Sequence, residues 1–351
     1  TPTRRQRQMC IRDRLRAFLE CPLQSGAKRS LSITEEEEDL TRRIHEPVSL
    51  EPLDEWQLLQ KTFDLGILNT SEPDWNVLYE QMLHSNLFEG ALPASLFEDA
   101  MRRKHLEILT AWERHLRELL QGMDWNGIQK ASRKYLQGPL QEKHPFLILG
   151  KDSPGFRDIV RFEPVLNLNQ EKEAKAAVTI RGESEWIFFG PGEVCNLVHF
   201  TSRSIRPKQW IRLFLNGVLL TASGLLPERT KVQLSCISGE RSLNKDFPLP
   251  DRITCRDYLV RLTDEMMDPS SAELFPLEAV LALEPEHISS EKWPQRLELW
   301  LEEAFENSRS SFSSQYGPLP FPEDSKRPDD PKGTMEKRFG LLFQTIGNPA
   351  N

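Results

Sequence analysis

The residues with the clearest capacity for chemistry lie between Ile180 and Ala222, in the segment IRGESEWIFFGPGEVCNLVHFTSRSIRPKQWIRLFLNGVLLTA. Glu185 precedes one short apolar run, His199 and Thr201 close the next, and Gln209 sits at the start of a helical pattern. A carboxylate beside an imidazole can hold a divalent ion in principle. Mg2+ prefers hard oxygen ligands, so one glutamate with a neutral histidine is a poor site for it, and a softer metal would be required. The same stretch carries Arg203, Arg206, Lys208 and Arg212, with Trp210 between them. Arginines around an aromatic suit contact with a single-stranded backbone combined with base stacking, and a helix start favours phosphate. A solvated face, or an interface to an acidic patch on a partner, accounts for the same residues.

Other chemistry has no footing. No P-loop, GxGxxG, GxSxG or HExxH pattern occurs. The cysteines Cys10, Cys21, Cys195, Cys236 and Cys255 form no CxxC pair, which signals neither a disulfide framework nor a zinc site and fits a reducing cytoplasm. Across 351 residues, 53 acids against 45 bases give a formal charge of −8. That balance argues against a free-standing nucleic-acid binder, because phosphate neutralisation dominates such affinity. Any contact with DNA must be local or borrowed from a partner. No apolar run approaches the eighteen or so residues of a membrane span. The opening TPTRRQRQMCIRDR, with five arginines and no hydrophobic stretch, is not a secretory signal. Residues 1–14 read as a non-native basic segment, and the true N-terminus is expected to be missing.

The elements that position these residues follow from periodicity. Residues 15–138 read as a helical region. Leu15, Phe18, Leu19 and Leu23 recur at helical steps with Pro22 as a break, the run Glu35 to Asp39 reads as solvated, and stripes at Trp56/Leu59/Phe63/Ile67 and Trp75/Leu78/Tyr79/Met82 read as core. Ser95 with Glu98 forms a capping-box pattern for a helix reaching about Leu120 and ending near Gly122. His105 and His115 lie on it ten residues apart. At 3.6 residues per turn that is a rotation of about 280°, so they cannot share a face as ligands and are expected at the surface or an interface. Residues 139–307 read as an α/β domain. Short strands are expected at Phe146–Leu149, Ile159–Phe162, Ala177–Ile180, Trp186–Phe189 and Val194–Phe200, with a turn at Gly190–Glu193. A helix from Pro207 to Ala222, a strand at Lys231–Ile237 and helices at Ile253–Met267 and Trp293–Asn307 complete it, Trp293 and Trp300 sharing a face that reads as core. Residues 308–351 read as a flexible tail with a short apolar end, Phe339 to Ile346.

Two paired strands leading into an amphipathic helix resemble the core of the restriction-endonuclease-like (PD-(D/E)XK) nucleases. Those keep an acid on the first strand and Asp-x-Lys on the next, so that carboxylates hold Mg2+ and the lysine supports the attacking water. Read in order, LRAFLECPLQ at 15–24, EPVSLEPLDEWQLLQ at 46–60, LFEGALPASLFEDA at 87–100 and LFLNGVLLTASG at 213–224 are similar to the C-terminal region of RecC, the gamma subunit of exodeoxyribonuclease V, the RecBCD complex. The resemblance covers about Leu15 to Asn307. It implies a helical region followed by a nuclease-like α/β domain whose mixed central sheet is flanked by helices, and whose catalytic residues are lost. Gly182 and Glu185 keep the spacing of the glycine and first acid of active relatives. His199-Phe200-Thr201 stands where Asp-Tyr-Lys would, and Gln209 matches a glutamine on the following helix while Leu213 replaces an expected aromatic. The resemblance further implies RecB-like helicase-nuclease and RecD-like helicase partners that use ATP and Mg2+, no cofactor in this chain, DNA met through the complex, a cytoplasmic location, and Chi recognition outside this region. The rival is a still active divalent-metal nuclease of the same fold. It would need a lysine near Thr201, and none lies between Arg181 and Arg206.

Overall fold

A computed structural model describes residues 11–30, 50, 52–69, 72–84, 96–137, 159–162, 166–168, 178–180, 182–226, 231–248, 250–273, 275, 277 and 328–347. The chain begins with helices α1 (Ile11–Glu20) and α2 (Pro22–Ser30), then α3 (Pro52–Leu68), α4 (Trp75–Leu83), α5 (Leu96–Leu119) and α6 (Trp125–Ala131). Strands β1 (Ser132–Gln137), β2 (Ile159–Phe162), β3 (Leu166–Leu168), β4 (Val178–Ile180) and β5 (Gly182–Glu183) follow. The centre is β6 (Trp186–Gly190), β7 (Val194–Thr201), α7 (Pro207–Ala222), β8 (Lys231–Ser238) and β9 (Ser242–Phe247), with α8 (Arg252–Met267) and α9 (Pro331–Ile346) closing the described chain.

The sheet is mixed and runs β2-β1-β6-β7-β8-β9, with β5 pairing β1. β6 and β7 form an antiparallel pair with Trp186 opposite Val198, and the turn between them needs Gly192 at φ 72°. β7 and β8 are parallel, so their connection must cross the sheet, and α7 is that crossover. β9 returns antiparallel to β8.

Strand alternation divides the interior into two cores. Trp186, Phe188, Val198, Phe200 and Ile237 face α3 to α6. Ile187, Cys195, Leu197, Val232, Leu234 and Cys236 face α1, α7, α8 and α9. Both faces are covered, which is why these strands read as continuous apolar runs. On the first face Phe63 stacks on Trp75 at 5.1 Å between centroids, meets Trp112 and Trp125 edge-on at 5.5 and 6.3 Å, and lies 4.5 Å from Phe200. Such aromatics can be buried because their indole N–H groups have acceptors. Trp112 donates to the Thr201 carbonyl, Trp125 to the Gly66 carbonyl and Trp186 to Asp64. On the second face Gly217 of α7 admits the Phe247 ring, whose carbons would lie 2.8 Å from an added Cβ.

The coarse expectation of a mixed α/β chain with helices before the sheet is met, and Pro22 opens α2 after the break at Cys21. Several finer expectations need correction. β1 lies inside residues 15–138, and the polar sequence SRKYLQ carries no apolar alternation to announce it. His105 and His115 are buried, at 1% and 9% exposure, instead of lying at the surface. His105 Nδ1 is 2.8 Å from the Tyr79 hydroxyl and its Nε2 is 3.2 Å from Glu55. The end of the chain is not simply a tail with an apolar tip. α9 starts at Pro331, buries Met335, Phe339, Leu342 and Ile346, and carries Arg338 at 1% exposure, paired with Glu265 at 2.9 Å beside the Phe18 and Phe275 rings. The strand at Phe146–Leu149, the Ser95 cap and the helix at Trp293–Asn307 lie outside the described residues. Among the described residues, no helix is long and apolar enough to cross a membrane.

Phe63 touches three of the packed helices and the sheet, so its truncation leaves a cavity that no single neighbour can fill. Phe63→Ala is expected to cost about 3–5 kcal/mol of unfolding free energy in denaturant titrations, and a loss under about 1 kcal/mol would remove it as the centre of that core.

Candidate functional site

Glu185 immediately precedes β6 at the end of the sheet, beside the last residues of β7, and its side chain is 5% exposed. An ionised carboxylate at such a depth must be compensated. Arg212, from the second turn of α7, binds Oε1 through its Nε. His199 Nδ1 lies 3.3 Å from Oε2. Asn216, one helical turn beyond Arg212, accepts a hydrogen bond from the Glu185 backbone N–H at 3.3 Å and donates to the Arg212 carbonyl at 2.9 Å. Trp56 of α3 also reaches the group. Its ring lies 5.3 Å from the Arg212 guanidinium carbon and 6.5 Å from the His199 ring, and its Nε1 donates to the Phe200 carbonyl at 3.3 Å.

Electrostatics hold the imidazole neutral. Burial pushes the His199 pKa below the usual histidine range, and the Arg212 and Arg16 charges push the same way against the opposing pull of Glu185. The set is therefore a carboxylate neutralised by a tethered guanidinium, with a neutral imidazole on its second oxygen. Both oxygens of Glu185 are engaged by protein groups. Chemically this is a closed ion pair, poor in free ligand positions for a hard cation.

The remaining residues expected at this site are distributed differently. Thr201 is buried, and its hydroxyl accepts from the Arg203 backbone N–H at 3.3 Å. Gln209 serves the helix itself, its Oε1 accepting from the Arg206 N–H at 2.8 Å while its own backbone N–H donates to the Arg206 carbonyl at 3.1 Å at the start of α7. The basic cluster is split. Arg203, Arg206 and Lys208 are exposed. Arg212 points inward to Glu185, and Trp210 is buried in the second core with Lys245 Nζ 5.5 Å from its ring centroid. Trp210 is thus unavailable as a platform for a base, and Arg212 is unavailable as a surface cation. The five residues expected from their spacing to lie together are therefore divided between the surface and the interior.

Trp56 and Asn216 belong to the site, and sequence reasoning passes over both. Trp56 reads as one member of a core stripe, and nothing local in α3 links it to a strand 144 residues later. Asn216 does leave a trace, since a polar side chain in the middle of an apolar helix calls for a buried partner.

No family model matches the chain and no curated protein matches it.

Removing one member of a buried pair strands the other. Arg212→Met is expected to cost about 3 kcal/mol, at the low end of the usual 3–5 because the guanidinium side chain is 17% exposed. Adding Glu185→Gln to that variant should recover much of the loss, and a purely additive double mutant would show the pair to be uncoupled. The depressed His199 pKa also sets a pH dependence. Below the unfolded-state value near 6.5 the unfolded chain takes up the proton first, so this contribution is present above that pH and is lost as pH falls. Denaturant midpoints should therefore drop from about pH 7.5 to 5.5, and His199→Asn should flatten that drop. An unchanged slope in the variant would exclude His199 as its source.

Proposed function

We propose that the chain is a catalytically silent, nuclease-like C-terminal portion of a RecC-type subunit, holding helicase partners and helping to route DNA strands during processing of double-strand ends. The observation that carries the reading is the closed Glu185–Arg212 pair. Where an active nuclease of this kind would present acids to Mg2+, the acid retained here is neutralised by an arginine of α7, and β7 offers His199 and Thr201 in place of an acid and a lysine. Three further features support it. The antiparallel β6–β7 pair leads directly into amphipathic α7, and β8 then joins β7 in parallel. A helical region precedes the sheet. The segments at 15–24, 46–60, 87–100 and 213–224 occur in the order of the RecC C-terminal region. In this reading ATP hydrolysis and strand cleavage belong to RecB-like and RecD-like partners, and the complex works in the cytoplasm.

Two measurements test it. The purified chain should leave linear DNA intact in Mg2+ or Mn2+, and cleavage that disappears specifically in Glu185→Ala would overturn the silent site. Mixing with the cognate RecB-like subunit should give a complex on size exclusion and raise the melting temperature, because a partner that binds only the folded state stabilises it. A melt independent of that subunit, with no complex formed, would overturn the subunit assignment.

A further inference from the structure

We infer that the end of the sheet where β7 and β8 terminate is a surface for a nucleic-acid strand, held through its phosphates and not through its bases. The inference deepens the DNA-routing role above and rests on it for the choice of DNA as ligand. Thr201 pairs with Ser238 across the parallel strands, so the loop Ser202–Arg206 and the turn Gly239–Arg241 leave adjacent strands at one end. Arg203, Arg206 and Lys208 from the first, and Arg241 from the second, are all exposed. Among the described residues none of their side chains has an ion pair, whereas Arg102, Arg117, Arg212 and Arg338 are each paired with a glutamate.

The distribution of sign selects the ligand. No Asp or Glu lies between Glu193 and Glu228, although acids outnumber bases 53 to 45 in the whole chain. Glu240, exposed beside Arg241 in the β8–β9 turn, is the single acid of these two loops. Interfaces between proteins set orientation by matching charges of both signs. A surface on which four cations stand against one acid suits a ligand that repeats negative charge at a regular interval, which is a phosphodiester backbone. The positive end of α7, which starts at Pro207 in the same place, adds to the attraction. Burial of Trp210 removes the aromatic on which a base would stack, so binding at this surface carries no base readout.

The test uses the full chain, its R203Q/R206Q/K208Q/R241Q variant, and labelled oligo-thymidylate over a series of salt concentrations, with capture of the RecB-like subunit measured in parallel. The wild-type chain should bind at low salt. The variant should bind about tenfold or more weakly, with the slope of log affinity on log salt flatter by roughly 0.7 for each phosphate that is no longer neutralised. An unchanged slope overturns the surface whatever the subunit does. Wild-type protein that captures the subunit but not the oligonucleotide also overturns it, while leaving the proposed function standing. Normal oligonucleotide binding with failed subunit capture identifies a protein interface and rejects the strand. Should the fourfold variant fail to fold, Arg203→Gln and Arg241→Gln are each expected to flatten the slope by roughly 0.7, and identical slopes overturn the inference.

Discussion

The arrangement depends on one requirement: the carboxylate of Glu185, closed off from water, has to meet a positive charge inside the protein. Arg212 meets it, and doing so fixes more than itself. Arg212 and Asn216 lie one turn apart on α7, the first holding the side chain of Glu185 and the second its backbone N–H. The apolar face of α7 could pack in more than one register, because leucine and phenylalanine pack without strict direction. A shift by one turn, about 5.4 Å, would strand the carboxylate and take Arg212 and Asn216 away from their partners on Glu185. Buried ion pairs are weak sources of net stability. Here the pair acts by raising the cost of the alternatives.

That registration propagates through the crossover. With α7 set against β6 and β7, its C-terminal end delivers the chain to β8 in parallel, and Gly217 lies where the Phe247 ring of β9 needs room. Trp56 links the two faces of the sheet. Its ring lies against the Arg212 guanidinium and its N–H reaches the carbonyl of Phe200, whose own side chain packs on Phe63. The ion pair on one side and the aromatic cluster on the other therefore share a neighbour.

How much of this can be read from sequence divides along local and non-local lines. α7 and α8 fall within a residue of their expected bounds, and β6 to β8 within one, because their signals are an apolar period, a proline at a helix start and a glycine-rich turn. β1 and β9 carry no such signal, since SRKYLQ and SLNKDF are polar strands defined by their pairing partners more than by their own side chains. The site shows the same split. The resemblance to the nuclease core is what singles out Glu185, His199 and Gln209. Whether Arg212 faces solvent or the interior is decided by what lies beneath α7, since Lys208, one turn earlier on the helix, is exposed while Arg212 turns to Glu185. His105 and His115 mislead for the reverse reason. α5 packs against both its helical neighbours and the sheet, so being on different faces does not put either histidine in water.

The pairing also bears on why loss of chemistry would be hard to reverse. In the proposed reading, a missing lysine on β7 is only part of the change. A metal ion and an arginine satisfy a buried carboxylate in different ways: the ion leaves ligand positions for water and phosphate, whereas the guanidinium brings directed N–H donors and no open position. A lysine at position 201 would add a second cation near a carboxylate already neutralised, in a region where Arg16 also disfavours a charged His199. Like charges in such surroundings repel at low effective dielectric, and the added ammonium would lose hydration with no acid to meet it. Recovery of a metal site would require Arg212 to leave together with the arrival of a second acid. Either step alone leaves a buried charge uncompensated, so in that reading the closed pair would hold a silent site against single substitutions.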